Sequence, residues 1–335
     1  MWTPRLILQV RSNCLVTYFE NHYHHDLTEE QRQKILQALE DSRKLQYSGQ
    51  LTKGASKRLT KCIDLLVQCI KPKRIFNEVS QKTQLHKLSF ITLTISSQVP
   101  VTPREAYNQV FKHFLQWLRR TMKVTTYIWK IELQKRNQPH YHITTPSFIH
   151  YQKIRDKWNN LQRSVGWLDA YEQKTGHSDP NSTDIHEVNH VKDLSGYLKK
   201  EFAKSVQNIT KENIWEMLSN NDKNFYRATT YTEEEAMDLS MKENSSKIWD
   251  ASYNLKGSEY YKTNYELDML TRLSKLKQEG KADEMELEQC SIIQMKQSGI
   301  EQFLTLEQLL QYDIHKLAIK EKISNSSLKN YNNAN

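Results

Sequence analysis

Cysteine is scarce in this chain: four residues in 335, Cys14, Cys62, Cys69 and Cys290, with no C-x-x-C pair among them. That scarcity excludes a disulfide framework and a structural zinc knuckle, and it fits a reducing compartment. No apolar run approaches the roughly 18–20 residues that cross a bilayer. Met1 to Val16 carries arginines without a clean hydrophobic core, so no signal segment is expected. A G-x-x-x-x-G-K-[ST] phosphate loop is also missing, which excludes a fused ATPase of that class. These absences point to a cytoplasmic protein with no membrane partner.

What is present in excess is positive charge, a net +9 from 48 basic and 39 acidic residues. It is unevenly spread. Residues 1–85 hold 14 basic and 8 acidic side chains, 86–204 hold 18 and 10, and 205–335 hold 16 and 21. A basic body followed by an acidic region implies a polyanionic partner, most simply nucleic acid. The length allows two modest domains, or one with extensions.

Residues 1–84 read as a mainly helical, basic region after a short apolar start. One helix opens near Leu27–Gln31, and a second, from about Lys57 to Ile70, aligns Leu59, Cys62, Ile63, Leu66 and Ile70 on one stripe. His22, His24 and His25 fall in a polar loop. Lys71-Pro72-Lys73-Arg74 is a short basic cluster, weak evidence by itself for DNA contact or targeting. The pattern then changes. Ser89–Ser96 alternates β-branched and aromatic residues and predicts a strand. Thr102, Pro103 and Glu105 supply an N-cap, a first-turn proline and a capping-box carboxylate for a helix reaching about Met122. A further helix is expected over 151–165, stopped by Gly166, then a strand over 183–188 and a helix from about His190 to Lys204. The expected fold is α+β, a central antiparallel sheet with flanking helices of ferredoxin-like type, bearing helical extensions at both ends. Residues 85–205 form its central domain, 206–323 a helical, net acidic region, and 324–335 a disordered Asn/Ser-rich tail.

Between the first of these central helices and the second lies Trp129–Ile143. Tyr127–Gln134 alternates, Lys135–Pro139 is rich in turn formers, and His140 and His142 share one face of the returning strand. A hairpin in ordinary register brings Glu132, His140 and His142 together on that face, with Gln134 beside Glu132. Two imidazoles and a carboxylate suit a divalent metal. Histidines on a half-buried strand are also commonly just hydrogen-bonded edge residues.

Taken together, Phe90-Ile91-Thr92-Leu93-Thr94, His140-Tyr141-His142 and Tyr197-Leu198-Lys199-Lys200 resemble, in order and spacing, three motifs of the HUH endonuclease superfamily, the replication initiators of rolling-circle phages, plasmids and small circular DNA viruses. The resemblance spans about residues 85–255, and Lys247–Ser252 is similar to a short Trp-containing signature that follows the nuclease domain in phage-type members. It implies a metal-assisted nicking enzyme. Glu132, His140 and His142 would hold Mg²⁺ or Mn²⁺, with Gln134 as a further contact. Tyr197 would be the nucleophile, Lys200 would stabilise charge, and Lys204 would contact DNA. The implied partners are single-stranded DNA at a replication origin, a host helicase and a DNA polymerase, in the cytoplasm of a bacterial host. Many phage initiators carry a second tyrosine four residues after the first; here that position is Glu201, which implies a single-tyrosine enzyme.

Other readings are a single-tyrosine relaxase or transposase of the same superfamily and a non-catalytic DNA-binding protein. His142-Ile143-Thr144 also suggests a two-histidine phosphoesterase, but no supported second His-x-Thr/Ser accompanies it.

Overall fold

The computed structural model describes residues 5–12, 14–20, 28–30, 32–34, 36–37, 52–70, 73–77, 81–98, 100–134, 137–187, 196–200, 209–266, 268–287 and 290–329. The chain divides into two compact units. One comprises Glu30–Thr60 and Ile70–Ser252, the other Met1–Glu29, Lys61–Cys69 and Tyr253–Asn335.

The first unit contains the sheet that the central sequence predicts. The strands are β5 (Ser89–Thr94), β6 (Ile128–Leu133), β7 (Pro139–Thr145), β8 (Thr183–Glu187) and β9 (Trp249–Ala251). They pair antiparallel in the order β8-β5-β7-β6-β9. The period-two alternation along these strands sends Ile91, Leu93, Trp129, Ile131, Tyr141 and Ile143 to one face, where all are buried in a single core. Helices cover that face. Thr102 caps the first by accepting from the Glu105 amide, and Pro103 occupies its first turn. It runs through Pro103–Ala106, a π-helical turn at Tyr107–Phe111, and Lys112–Arg120. The extra residue of a π turn shifts the side chains that follow, and here Phe111 lies flat on Tyr141, ring centroids 3.7 Å apart and planes 8° apart. A second helix, Tyr151–Arg163, buries Ile154 and Trp158. The Trp158 indole donates to the Thr94 carbonyl at 2.8 Å, tying this helix to β5. Gly166, at φ 75°, ends the turn that follows, a backbone state costly for other residues.

Beyond this core, Lys211–Met217, Asn220–Ala228 and Glu233–Asn244 form a three-helix group around Trp215, Leu218, Tyr226 and Ala236. Ile248–Ser252 then returns to the sheet: β9 pairs with β6, Ile131 N–H bonds the Ile248 carbonyl, and Ser252 N–H bonds the Tyr127 carbonyl. The Trp-containing signature is therefore an edge strand. Two further strands, β3 (Lys73–Asn77) and β4 (Lys82–His86), make a separate two-stranded ribbon.

The second unit departs from the helical expectation at both chain ends. Residues 5–10 and 14–20 are strands, β1 (Arg5–Val10) and β2 (Cys14–Glu20). They join β10 (Tyr261–Asn264), β11 (Ala282–Glu286) and β12 (Cys290–Met295) in the order β10-β1-β2-β12-β11. Leu8, Val10 and Leu15 need a core to bury against, and they find it with Met269, Leu273, Ile293 and Phe303, far away in sequence. The extension after residue 205 is correspondingly mixed α and β, with helices at Asp268–Gln278, Gln297–Phe303 and Leu306–Lys329. Residues 324–329, expected to be disordered, continue the last of these helices, because extending a formed helix adds a bond for each residue fixed; 330–335 lie outside the described residues. The predicted helix over 57–70 is present as Lys53–Cys69, with Leu59, Cys62, Ile63 and Leu66 buried as packing residues. Of the helix expected near 27–39, residues 29–30, 32–34 and 36–37 are helical. The three histidines of residues 22–25 lie outside the described residues.

Candidate metal centre

The face of the central sheet opposite the core carries the polar strand residues. Its rows follow from register: Thr92 is opposite His142, which is opposite Lys130, and Thr94 is opposite His140, which is opposite Glu132. Paired residues point the same way, so these six side chains share one surface. Glu132, His140 and His142 offer ligand atoms that all lie within 4.8 Å of one another.

Each ligand is held by neighbours. Glu132 Oε1 is 2.7 Å from His142 Nε2. Its other oxygen, Oε2, is 3.6 Å from the ammonium of Lys130, whose side chain is only 4% exposed. Thr92 Oγ1 is 3.1 Å from His142 Nδ1, and Thr94 Oγ1 is 3.2 Å from His140 Nδ1. Gln134 Nε2 is 2.7 Å from His140 Nδ1. In the metal-free state that amide donates to Nδ1 and so keeps the ring proton on Nε2. An amide turned end for end would accept from Nδ1–H and free Nε2 for a ligand bond.

The electrostatics follow from this packing. Burial is the largest influence on Glu132 and pushes its carboxyl up, but the His142 hydrogen bond and the charges of His142, Lys130 and His140 outweigh it and bring the carboxyl down to about 2. Burial and the neighbouring His142 lower His140 to about 4 against the opposing pull of Glu132. Near neutrality the site therefore presents a carboxylate and, at His140, a neutral imidazole, the protonation states that bind a divalent ion. The threonines on the Nδ1 atoms supply the outer support that fixes ring orientation in metal sites. The donor set fits a divalent metal, as its chemistry predicts.

Between the two histidines, Tyr141 points the other way into the core. Its hydroxyl is buried with no hydrogen-bond partner, and burial raises it well above the ordinary tyrosine range.

Tyr197 and Lys200 lie in a helical stretch, 196–200, with Tyr197 half-buried, Leu198 fully buried and Lys200 exposed. The segment joining this stretch to β8, residues 188–195, lies outside the described residues, as do Glu201 and Lys204. Lys130, Thr92 and Thr94 belong to the site, although spacing alone gave them no role; the alternation of β5 and β6 was the available signal. Phe90, its ring centroid 5.2 Å from that of His142, and His186, 5.0 Å from Phe90, extend the same face toward β8.

Among the described residues, no helix is long and apolar enough to cross a membrane. No curated protein and no solved structure matches the chain. Residues 88–232, which contain β5 to β8, the three clustered ligands and Tyr197, match a family of replication-associated proteins of the ORF2 type, so the stretch that carries the candidate centre is similar to replication-associated proteins.

Proposed function

We propose that this chain initiates DNA replication by nicking single-stranded origin DNA through tyrosine transesterification, as a single-tyrosine HUH endonuclease. The observation that carries this reading is the strand register that gathers Glu132, His140 and His142 on one open sheet face, inside the stretch similar to replication-associated proteins.

A Mg²⁺ or Mn²⁺ ion held by those three side chains supplies Lewis-acid polarisation of the scissile phosphate when bound. Thr92 and Thr94 keep both imidazole rings aligned, and Gln134 steadies His140. A phenol is a weak nucleophile at neutral pH and needs its developing charge neutralised. Tyr197 is that nucleophile: its Oη forms a bond to phosphorus, the bond from phosphorus to the 3′ oxygen breaks, and the tyrosyl proton is released. The 3′ oxygen takes up a proton and becomes the free 3′-OH from which a DNA polymerase extends. Lys200, one helical turn from Tyr197, stabilises phosphate charge, and Lys204 contacts the DNA strand. The phosphotyrosine keeps the energy of the phosphodiester, so rejoining needs no nucleotide. Strand separation falls to a host helicase.

The test is incubation of the full chain with a single-stranded origin oligonucleotide and Mn²⁺, followed by a denaturing gel. The wild type forms a covalent adduct, and Tyr197→Phe and His142→Ala do not. An adduct that persists in Tyr197→Phe removes the nucleophile assignment, and one that persists in His142→Ala removes the metal-centre assignment.

A further inference from the structure

The basic cluster at Lys71–Arg74 plays no part in the nicking centre. It opens the β3–β4 ribbon, the two-stranded sheet that joins neither of the five-stranded ones. Register sets Arg74 opposite Leu85 and Phe76 opposite Thr83, which makes these four residues one face of the ribbon. All four are exposed, Phe76 at 55% and Leu85 at 49%. An exposed aromatic and an exposed aliphatic residue beside an arginine form a surface that lacks its partner.

The ribbon has a firm root. His86, the last residue of β4, is buried, with Nε2 3.0 Å from Ser89 Oγ and its ring edge-on to Phe148 at 5.7 Å. Ser89 in turn donates to the Ser147 carbonyl at 3.1 Å. Ser89 is the first residue of β5, the strand that supplies Thr92 and Thr94 to the candidate centre.

Charge selects the occupant. Residues 71–87 carry Lys71, Lys73, Arg74, Lys82 and Lys87 against Glu78 alone, a net +4 in seventeen residues. A protein partner would suit the apolar pair, but that density of positive charge favours a polyanion. Shape narrows the choice further. A two-stranded ribbon fits the roughly 12 Å major groove of duplex DNA, and five residues of strand, about 17 Å, span about five base pairs. Arginine reads guanine edges there, and threonine and apolar groups contact the thymine methyl. A single strand would call for several stacking aromatics, and the ribbon offers Phe76 alone. We propose that the β3–β4 ribbon is a docking element for double-stranded DNA, which it enters by the major groove through the Arg74, Phe76, Thr83 and Leu85 face. This rests on the reading of the chain as a DNA-processing protein and gives it a duplex-binding element separate from the centre that cuts single strands.

The experiment uses the full-length chain, a fluorescein-labelled 30-base-pair duplex of mixed sequence, and the matching single strand, with anisotropy followed across a salt series. Lys73→Ala/Arg74→Ala lowers duplex affinity about tenfold at low salt and reduces the log–log salt slope by about two, one for each phosphate no longer neutralised. Single-strand affinity changes less than twofold, and the melting temperature stays within a degree or two of wild type. Phe76→Ser weakens duplex binding without changing the salt slope. Unchanged duplex binding in these variants overturns the proposal. So does an equal loss for duplex and single strand, or a loss confined to self-association on size exclusion, which would make the ribbon a protein contact. A wild-type chain that shows ribbon-dependent duplex binding but no covalent adduct refutes the nicking reading alone. A chain that forms the adduct while its ribbon variants bind duplex normally refutes the ribbon alone.

Discussion

Without metal, the candidate centre should make the protein acid-labile in two separate windows, and two substitutions should tell them apart. His140 titrates near 4 in the folded chain against about 6.5 when unfolded. Between those pH values the unfolded chain takes up a proton that the folded chain refuses, so stability falls as pH drops from 6.5 toward 4. At about 1.36 kcal/mol per pH unit this amounts to about 3 kcal/mol. Glu132 titrates near 2 when folded against about 4.5 unfolded. Its contribution is complete above 4.5 and is lost as pH falls from there to 2. Because part of the Glu132 carboxylate meets solvent, screening reduces that contribution to about 1–2 kcal/mol. Urea denaturation followed by tryptophan fluorescence in excess chelator measures both. Glu132→Gln should be less stable than wild type by a constant margin above pH 4.5, with the gap closing toward pH 2. His140→Gln should be relieved of the wild-type loss between pH 6.5 and 4. A Glu132→Gln gap that stays constant down to pH 2.5, or a His140→Gln variant that loses stability in parallel with wild type across the upper window, would refute the electrostatic account of the site.

Two further sets of substitutions probe its surroundings. Tyr141→Phe keeps the stack on Phe111 and removes a buried hydroxyl that has no partner, so it should stabilise the fold by about 1 kcal/mol; a lower urea midpoint would show that the hydroxyl is satisfied in solution. Thr92→Val and Thr94→Val should each weaken Mn²⁺ binding about 10- to 100-fold in calorimetry by releasing a histidine ring from its support, and unchanged affinity would mean that packing alone orients the rings.

The metal cluster was legible because everything it needs is local. Alternation in Tyr127–Gln134, turn formers at Lys135–Pro139 and an i, i+2 histidine pair specify a hairpin, and a hairpin specifies which side chains face one another. Thr92 and Thr94 were visible only as strand residues, since their role depends on which strand β5 chooses as neighbour. The π turn at Tyr107–Phe111 carries no local signal; it answers the shape of Tyr141 and Trp129 beneath it. The three residues of β9 are too few to read as a strand without the edge of β6 to receive them. The terminal regions were misread as helical for a related reason. The alternation in residues 5–20 is short, and the strands that confirm it, β10 and β12, lie about 250 or more residues away.

That separation bears on how the chain is made. A ribosome extends a chain at about 5–20 residues per second, so β1 and β2 emerge some 10–60 s before β10 and β12 exist to flank them. During that interval the β1–β2 pair is a hairpin with both edges bare, and the central sheet has time to form first. Contacts of such long sequence separation form slowly. The first strands synthesised are therefore among the last to be completed, and the newborn chain is most vulnerable to edge-to-edge aggregation near its own beginning.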